Sequence, residues 1–258
     1  MIESVGIIGS GNLAWHLAPA LYRSGIRISQ IISRRIKNAK ELAVRVDAQY
    51  SASLHNMTRE TDLWIIAVPD DAIAGVALSF PFLPERVVHT SGSVDLDVLE
   101  GTGFNTGVFY PLQTFSKNRP VDFEKIPVFL ESDQEDFLEE LANLASRISE
   151  KVIEIDSEQR TILHIAAVFA CNYTNALYAI AKDLLNENGL KFKWLHPLIK
   201  ETVQKAIENG PDNAQTGPAI RNDKTTIAKH LELLDNEKYR ELYKLFADII
   251  GERFSLEE

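Results

Sequence analysis

Residues 4–14 read Ser4-Val5-Gly6-Ile7-Ile8-Gly9-Ser10-Gly11-Asn12-Leu13-Ala14, an apolar run closed by the pattern G-x-G-x-x-A. Those residue types at that spacing suit a pyrophosphate. Gly9 permits a tight turn after a strand, Gly11 clears the side chain that would hold a phosphate off the backbone, and Ala14 lets the next helix pack closely on the strand. Ser10, Asn12 and Leu13 complete a loop whose amide groups lie at the positive end of that helix. About 20 residues further on, where an NAD-specific protein places an acid on the ribose 2′-hydroxyl, this chain has Ser33-Arg34-Arg35. A hydroxyl and two guanidinium groups suit a 2′-phosphate, so NADP is the expected cofactor. The alternative is that both arginines are solvated residues at a helix start. Two more strand ends, Val68-Pro69-Asp70 and Thr90-Ser91-Gly92, should edge the nicotinamide half of the same crevice, with Ser91 either donating to a substrate or serving as a turn residue.

A second group of polar residues lies on a long apolar helix. His164, Val168, Cys171 and Asn175 follow one another at spacings of four, three and four, which puts them in one helical stripe with Asn172 beside it. Buried polar groups need partners, so these side chains face other helices or a ligand. Histidine is the side-chain type that exchanges a proton near neutral pH, which makes His164 the candidate proton donor, with Asn172 and Ser91 as candidate contacts to the reacting group. Cys171 has no activating base beside it and reads as packing. Further on, Thr216-Gly217-Pro218-Ala219-Ile220-Arg221-Asn222-Asp223 reads as a rigid turn feeding a helix capped by Asp223. Arg221, just outside the cap, could hold an anionic substrate. The six histidines are scattered, and no metal-ligand spacing appears.

The elements that must position these residues are alternating strands and helices. Strands are expected over 4–9, 27–33, 62–68, 86–89, 105–110, 126–130 and 152–155, with helices over 12–24, 36–46, 72–80 and 134–148. After residue 155 every segment has helical period. The expected fold class is therefore α/β: an N-terminal Rossmann-type, mostly parallel sheet over 1–155, then an all-α domain over 156–258 that opens on a helix capped by Asp156 or Ser157. That helix, about 30 residues long with apolar side chains on several faces, should be buried on more than one side. Its apolar surface exceeds what a few short helices cover, which points to a homodimer.

Composition narrows the function classes. With 258 residues, 45% hydrophobic and 25% charged, the chain is of ordinary globular type. A net charge of −10 argues against nucleic acid and anionic lipid as partners. No apolar run approaches the roughly 20 residues of a membrane span, no signal sequence is visible and there is one cysteine, so a cytoplasmic protein is expected.

These motifs together resemble the superfamily of β-hydroxyacid dehydrogenases, pyrroline-5-carboxylate reductases and deazaflavin-dependent NADP oxidoreductases, in which a Rossmann domain precedes a helical dimerisation domain related to that of 6-phosphogluconate dehydrogenase. Ala67-Val68-Pro69 is typical of that group. A closer resemblance, over nearly the whole chain, is to Rossmann-like NADP oxidoreductases with a C-terminal domain of unknown function. It rests on 89–92 (His-Thr-Ser-Gly), 110–115 (Tyr-Pro-Leu-Gln-Thr-Phe), 164–173 and 216–223. Many members carry histidine at the position of Tyr110. The resemblance implies the fold, NADP and dimerisation. The expected function is NADP-dependent hydride transfer to a C=N or C=O bond of a small, anionic metabolite, with Arg221, Asn175 and Tyr110 as substrate contacts. Hydride exchange with a deazaflavin stays open, and a non-catalytic NADP-binding sensor or scaffold is the alternative.

Overall fold

The computed structural model describes Met1–Phe254. Contacts divide the chain into two compact units, one ending at Cys171 and the next beginning at Asn172. The first unit thus runs past the expected boundary at 155 and takes in the first turns of the long helix. The last four residues of the expected second domain lie outside the described residues.

The first unit is built on eight strands: β1 Ser4–Ile8, β2 Arg27–Ile32, β3 Gln49–Ser51, β4 Leu63–Ile66, β5 Arg86–His89, β6 Asn105–Pro111, β7 Val128–Glu131 and β8 Val152–Glu154. They form one sheet in the order β3-β2-β1-β4-β5-β6-β7-β8. All pairings are parallel except β6 with β7. Every residue of β1 and β4 is buried, the mark of parallel strands covered on both faces. Helices α1 Asn12–Arg23, α2 Ile36–Val44 and α4 Glu135–Ala145 share one hydrophobic core with the sheet, while α3 Ile73–Ala77 closes a second core around Trp64. Strand order reverses at β1, which has β2 on one side and β4 on the other. The carboxyl ends of these strands are where an open α/β sheet leaves a crevice. Strand β3 is missing from the expected elements because it is a three-residue edge strand, largely exposed. The expected helix over 72–80 contracts to α3, since Asp70–Ala72 forms a 3-10 turn.

The long helix starts as expected. Asp156 accepts from the Gln159 amide at 2.7 Å and the Gln159 side chain returns the bond, a capping box at the head of α5 Ser157–Ala167. It then departs from α geometry. Val168–Tyr173 is a π segment, and α6 continues over Thr174–Glu187. A π turn changes the angular advance per residue. The spacing that assigns His164, Val168, Cys171 and Asn175 to one stripe therefore does not carry through it. The expected burial is also corrected: Ile162 is 62% exposed, Phe169 63% and Tyr173 54%. Apolar sequence signals a need for cover, and these side chains stay more than half exposed. By length and mean hydropathy, 1.2 over 18 residues, Ser157–Glu187 passes as a candidate membrane span, contrary to the reading that no run comes close. Asn172, Thr174 and Asn175 at its middle weigh against that use.

The second unit holds α6, α7 His196–Asn209, α8 Pro211–Ala214, α9 Lys224–Leu233 and α10 Glu237–Phe254. No residue of these helices is buried. Within it, Asp212 pairs with Arg253, and His230 Nδ1 lies 2.7 Å from Tyr243 Oη.

Candidate active site

The cleft at the strand reversal has a volume of about 950 Å3. Its floor is the β1–α1 turn. Gly9 has φ +127° and donates its N–H to the Ile32 carbonyl at 2.7 Å, and Ala67 donates to Ile8 at 2.7 Å, so three strand ends are drawn together. A side-chain carbon at Gly9 would stand 2.0 Å from the Ala67 carbonyl oxygen, whereas one at Gly11 would meet nothing within 4 Å. Gly11 therefore opens onto free space at the head of α1, a helix with no side-chain cap and no acid in its first turn. Amides left unpaired there are donors for an anion.

All eleven residues expected to bind cofactor line this cleft: Gly9, Ser10, Gly11, Asn12, Leu13, Ser33, Arg34, Arg35, Val68, Pro69 and Asp70. Ser10 Oγ and Ser33 Oγ are 2.7 Å apart, linking the glycine turn to the end of β2. Arg34 and Arg35 are exposed, and neither forms an ion pair among the described residues. Asp70 accepts from Ser93 Oγ at 2.8 Å and so ties the β4 loop to the β5 loop. Thr90, at the strand end expected to edge this crevice, also lines the cleft, as do Asn38 and Leu54, which were not anticipated.

Beyond Thr90 a second cluster forms within the same unit. Tyr110, on β6, holds its hydroxyl 3.0 Å from His164 Nδ1 on α5, the rings meeting edge to face. Both pack on Gly92: a side-chain carbon there would lie 2.6 Å from His164 Nδ1 and 2.8 Å from the Tyr110 hydroxyl. Burial pushes the Tyr110 phenol above its ordinary range, and the nearby Arg160 charge opposes that shift. The hydroxyl is thus kept protonated. Ser91 is buried, and its Oγ accepts from the amides of Ser93 and Val94 at 3.1 Å each, the turn role foreseen as its alternative.

What fixes this cluster is Arg160, which sequence reasoning missed. Its side chain is 0% exposed. It donates to Glu131 through Nε and Nη2 at 3.1 and 2.8 Å, and through Nη1 to the carbonyls of Ser91 and Val94 at 3.0 and 2.8 Å. One guanidinium therefore binds α5, β7 and the loop carrying Ser91 and Gly92. Breaking such a buried pair costs about 3–5 kcal/mol, because the other charge is left without a partner. His89 lies under the same loop, wholly buried, and accepts the Ser91 amide on Nδ1 at 3.2 Å. Burial first, then the Arg160 charge, lowers its pKa to about 4.

Asn172, Asn175 and Arg221 belong to the second unit, and all three are exposed. Asn172 falls inside the π segment. Asp223 caps α9 as expected, accepting the Thr226 amide at 3.0 Å, and Arg221 stands two residues before it.

A dinucleotide cleft at the reversal of a parallel sheet, with a protected hydroxyl–imidazole pair beyond it, defines a Rossmann-type oxidoreductase. A family described as "NADP oxidoreductase coenzyme F420-dependent" matches residues 4–88, and one described as "Domain of unknown function (DUF2520)" matches 126–250. A crystal structure named "putative NADP oxidoreductase", from Bacteroides fragilis, is 43% identical, covers 97% of this chain and 98% of its own, and superposes with a TM-score of 0.88. The chain belongs to that NADP oxidoreductase family. The fold extends to an imine reductase from Myxococcus stipitatus in complex with NADP+ (14% identity, 98% and 93% covered, TM-score 0.64). It also extends to a pyrroline-5-carboxylate reductase from Coxiella burnetii (15% identity, 99% and 98% covered, TM-score 0.59). No curated protein matches the chain.

Proposed function

We propose that this protein is an NADP-dependent oxidoreductase that delivers hydride to a C=N or C=O bond of a small, anionic metabolite. The observation that carries the reading is the sequence of features along one strand-end surface. Arg34, Arg35 and Gly11 line one cleft, the two arginines without an ion pair among the described residues, and the Tyr110–His164 pair sits against Gly92, two residues beyond cleft-lining Thr90. The amides at the head of α1 would hold the pyrophosphate, and Ser33, Arg34 and Arg35 the 2′-phosphate, which supports NADP over NAD. The bound nicotinamide would supply the hydride. The likeness to reductases of C=N bonds favours an imine carbon as acceptor.

The protein's own part is to orient the acceptor and manage a proton. In its protonated form His164 would donate Nδ1–H to the Tyr110 oxygen and pass its Nε2 proton to the nitrogen or oxygen that gains charge as hydride arrives, returning to the neutral ring. Within the second unit, Asn172, Asn175 and Arg221 are exposed, and their amides and cation are groups that an anionic substrate would engage. The exposed apolar side chains of Ser157–Glu187 support assembly as a homodimer.

The test is a panel of cyclic imines, imino acids and 2-oxo acids offered with NADPH, with its absorbance followed over time. Turnover of at least one compound is expected, and His164→Ala should lower kcat at least 100-fold, at the lower end of what a positioned acid contributes, with NADPH affinity within about twofold. NADPH binding without oxidation across the panel would overturn the enzymatic reading in favour of a sensor.

A further inference from the structure

Pro19 lies inside α1 and has no N–H, so the Trp15 carbonyl four residues back loses its helical partner. Arg45, at the C-terminus of α2, replaces it. Its Nη1 donates to the Trp15 carbonyl at 3.1 Å while the guanidinium lies 4.2 Å from the centre of the Trp15 ring. Lys117 Nζ lies 4.6 Å from the same ring. Arg23, the last residue of α1, joins them around a pocket of about 260 Å3 that Asn118 and Val121 help to close.

No Asp or Glu lines this pocket, and none of its three cations forms an ion pair among the described residues. Stacking on Trp15 accounts for the placement of Arg45 and Lys117. The helix dipole accounts for Arg23 in the last turn of α1, but neither effect accounts for the lack of a carboxylate around three cations in a chain with 37 acids to 27 bases. Gathering like charges costs free energy that a bound anion would offset. The Arg45 guanidinium is held in place at one edge, and its remaining donors have no partner among the described residues.

We propose that this pocket is a second ligand site, distinct from the nucleotide cleft, that binds a small polyanion bearing phosphate or several carboxylate groups. Its volume suits a molecule of a few carbons rather than a nucleotide. The proposal stands independently of the reaction assigned above.

The experiment titrates the protein with pyrophosphate and, separately, with citrate, at fixed ionic strength and with saturating NADP+ so that the nucleotide cleft is closed to both. Calorimetry and tryptophan fluorescence read the binding, Trp15 being the local reporter. Saturable binding with a Kd below about 1 mM is expected, weakened about tenfold or more in Arg45→Gln/Lys117→Gln, with the fluorescence change lost in Trp15→Phe. The tighter of the two probes identifies phosphate or carboxylate as the recognised group. If the double variant melts lower than the parent, Lys117→Gln alone is used, since the Lys117 side chain makes no hydrogen bond among the described residues. No saturable binding of either probe, or binding unchanged in the variants, would overturn the proposal.

Discussion

Two cations would compete beneath the Ser91 loop if His89 were protonated, because the Arg160 guanidinium is already buried there. Burial and that charge hold the His89 pKa at about 4 against an ordinary 6.5. Between those values the unfolded chain binds a proton that the folded chain excludes, so stability falls as pH drops from 6.5 to 4, by about 3 kcal/mol over the full window. Urea unfolding at pH 7 and pH 4.5 should show His89→Gln losing about 2 kcal/mol less than the parent across that interval. Parallel pH dependences would contradict the account. Neither His89 nor Arg160 was legible as a site residue. An arginine in an amphipathic helix looks solvated, and its partner Glu131 is 29 residues away in sequence. The Tyr110–His164 contact was equally hidden, although each residue had been marked separately for chemistry.

At the scale of elements, the β1–α1 turn separates two tasks for two glycines. Gly9→Ala forces a side chain into the Ala67 carbonyl at a φ of +127° and should lower Tm by at least about 5 °C. Gly11→Ala meets no atom within 4 Å, so it should leave Tm within about 1 °C while weakening NADPH binding tenfold or more. Thermal melts paired with cofactor titration check both, and a Gly11→Ala protein that binds NADPH normally would remove the pyrophosphate from that turn. This turn was legible because its chemistry is written in adjacent residues after a wholly apolar strand. The π segment was not, since Val168–Tyr173 contains no proline or glycine to mark it and its apolar residues fit an α period as well. Strand β3 escaped because three edge residues bury too little to leave a pattern.

At the scale of the molecule, apolar surface left uncovered predicts association. Leu177 is 37% exposed, and Ile165 47%, on the same long helix. Light scattering should give a dimer at micromolar concentration, and Leu177→Asp should shift it to monomer. A monomeric parent would remove both the interface and the reason for the apolar helix. The central claim, cofactor choice, turns on two exposed arginines just beyond β2 that form no ion pair among the described residues. Calorimetry of NADPH and NADH against the parent and against Arg34→Glu/Arg35→Glu tests it directly. The account predicts that the parent prefers NADPH by at least about tenfold, or about 1.4 kcal/mol, and that the double variant loses that preference. Equal affinity of the parent for the two cofactors would contradict it.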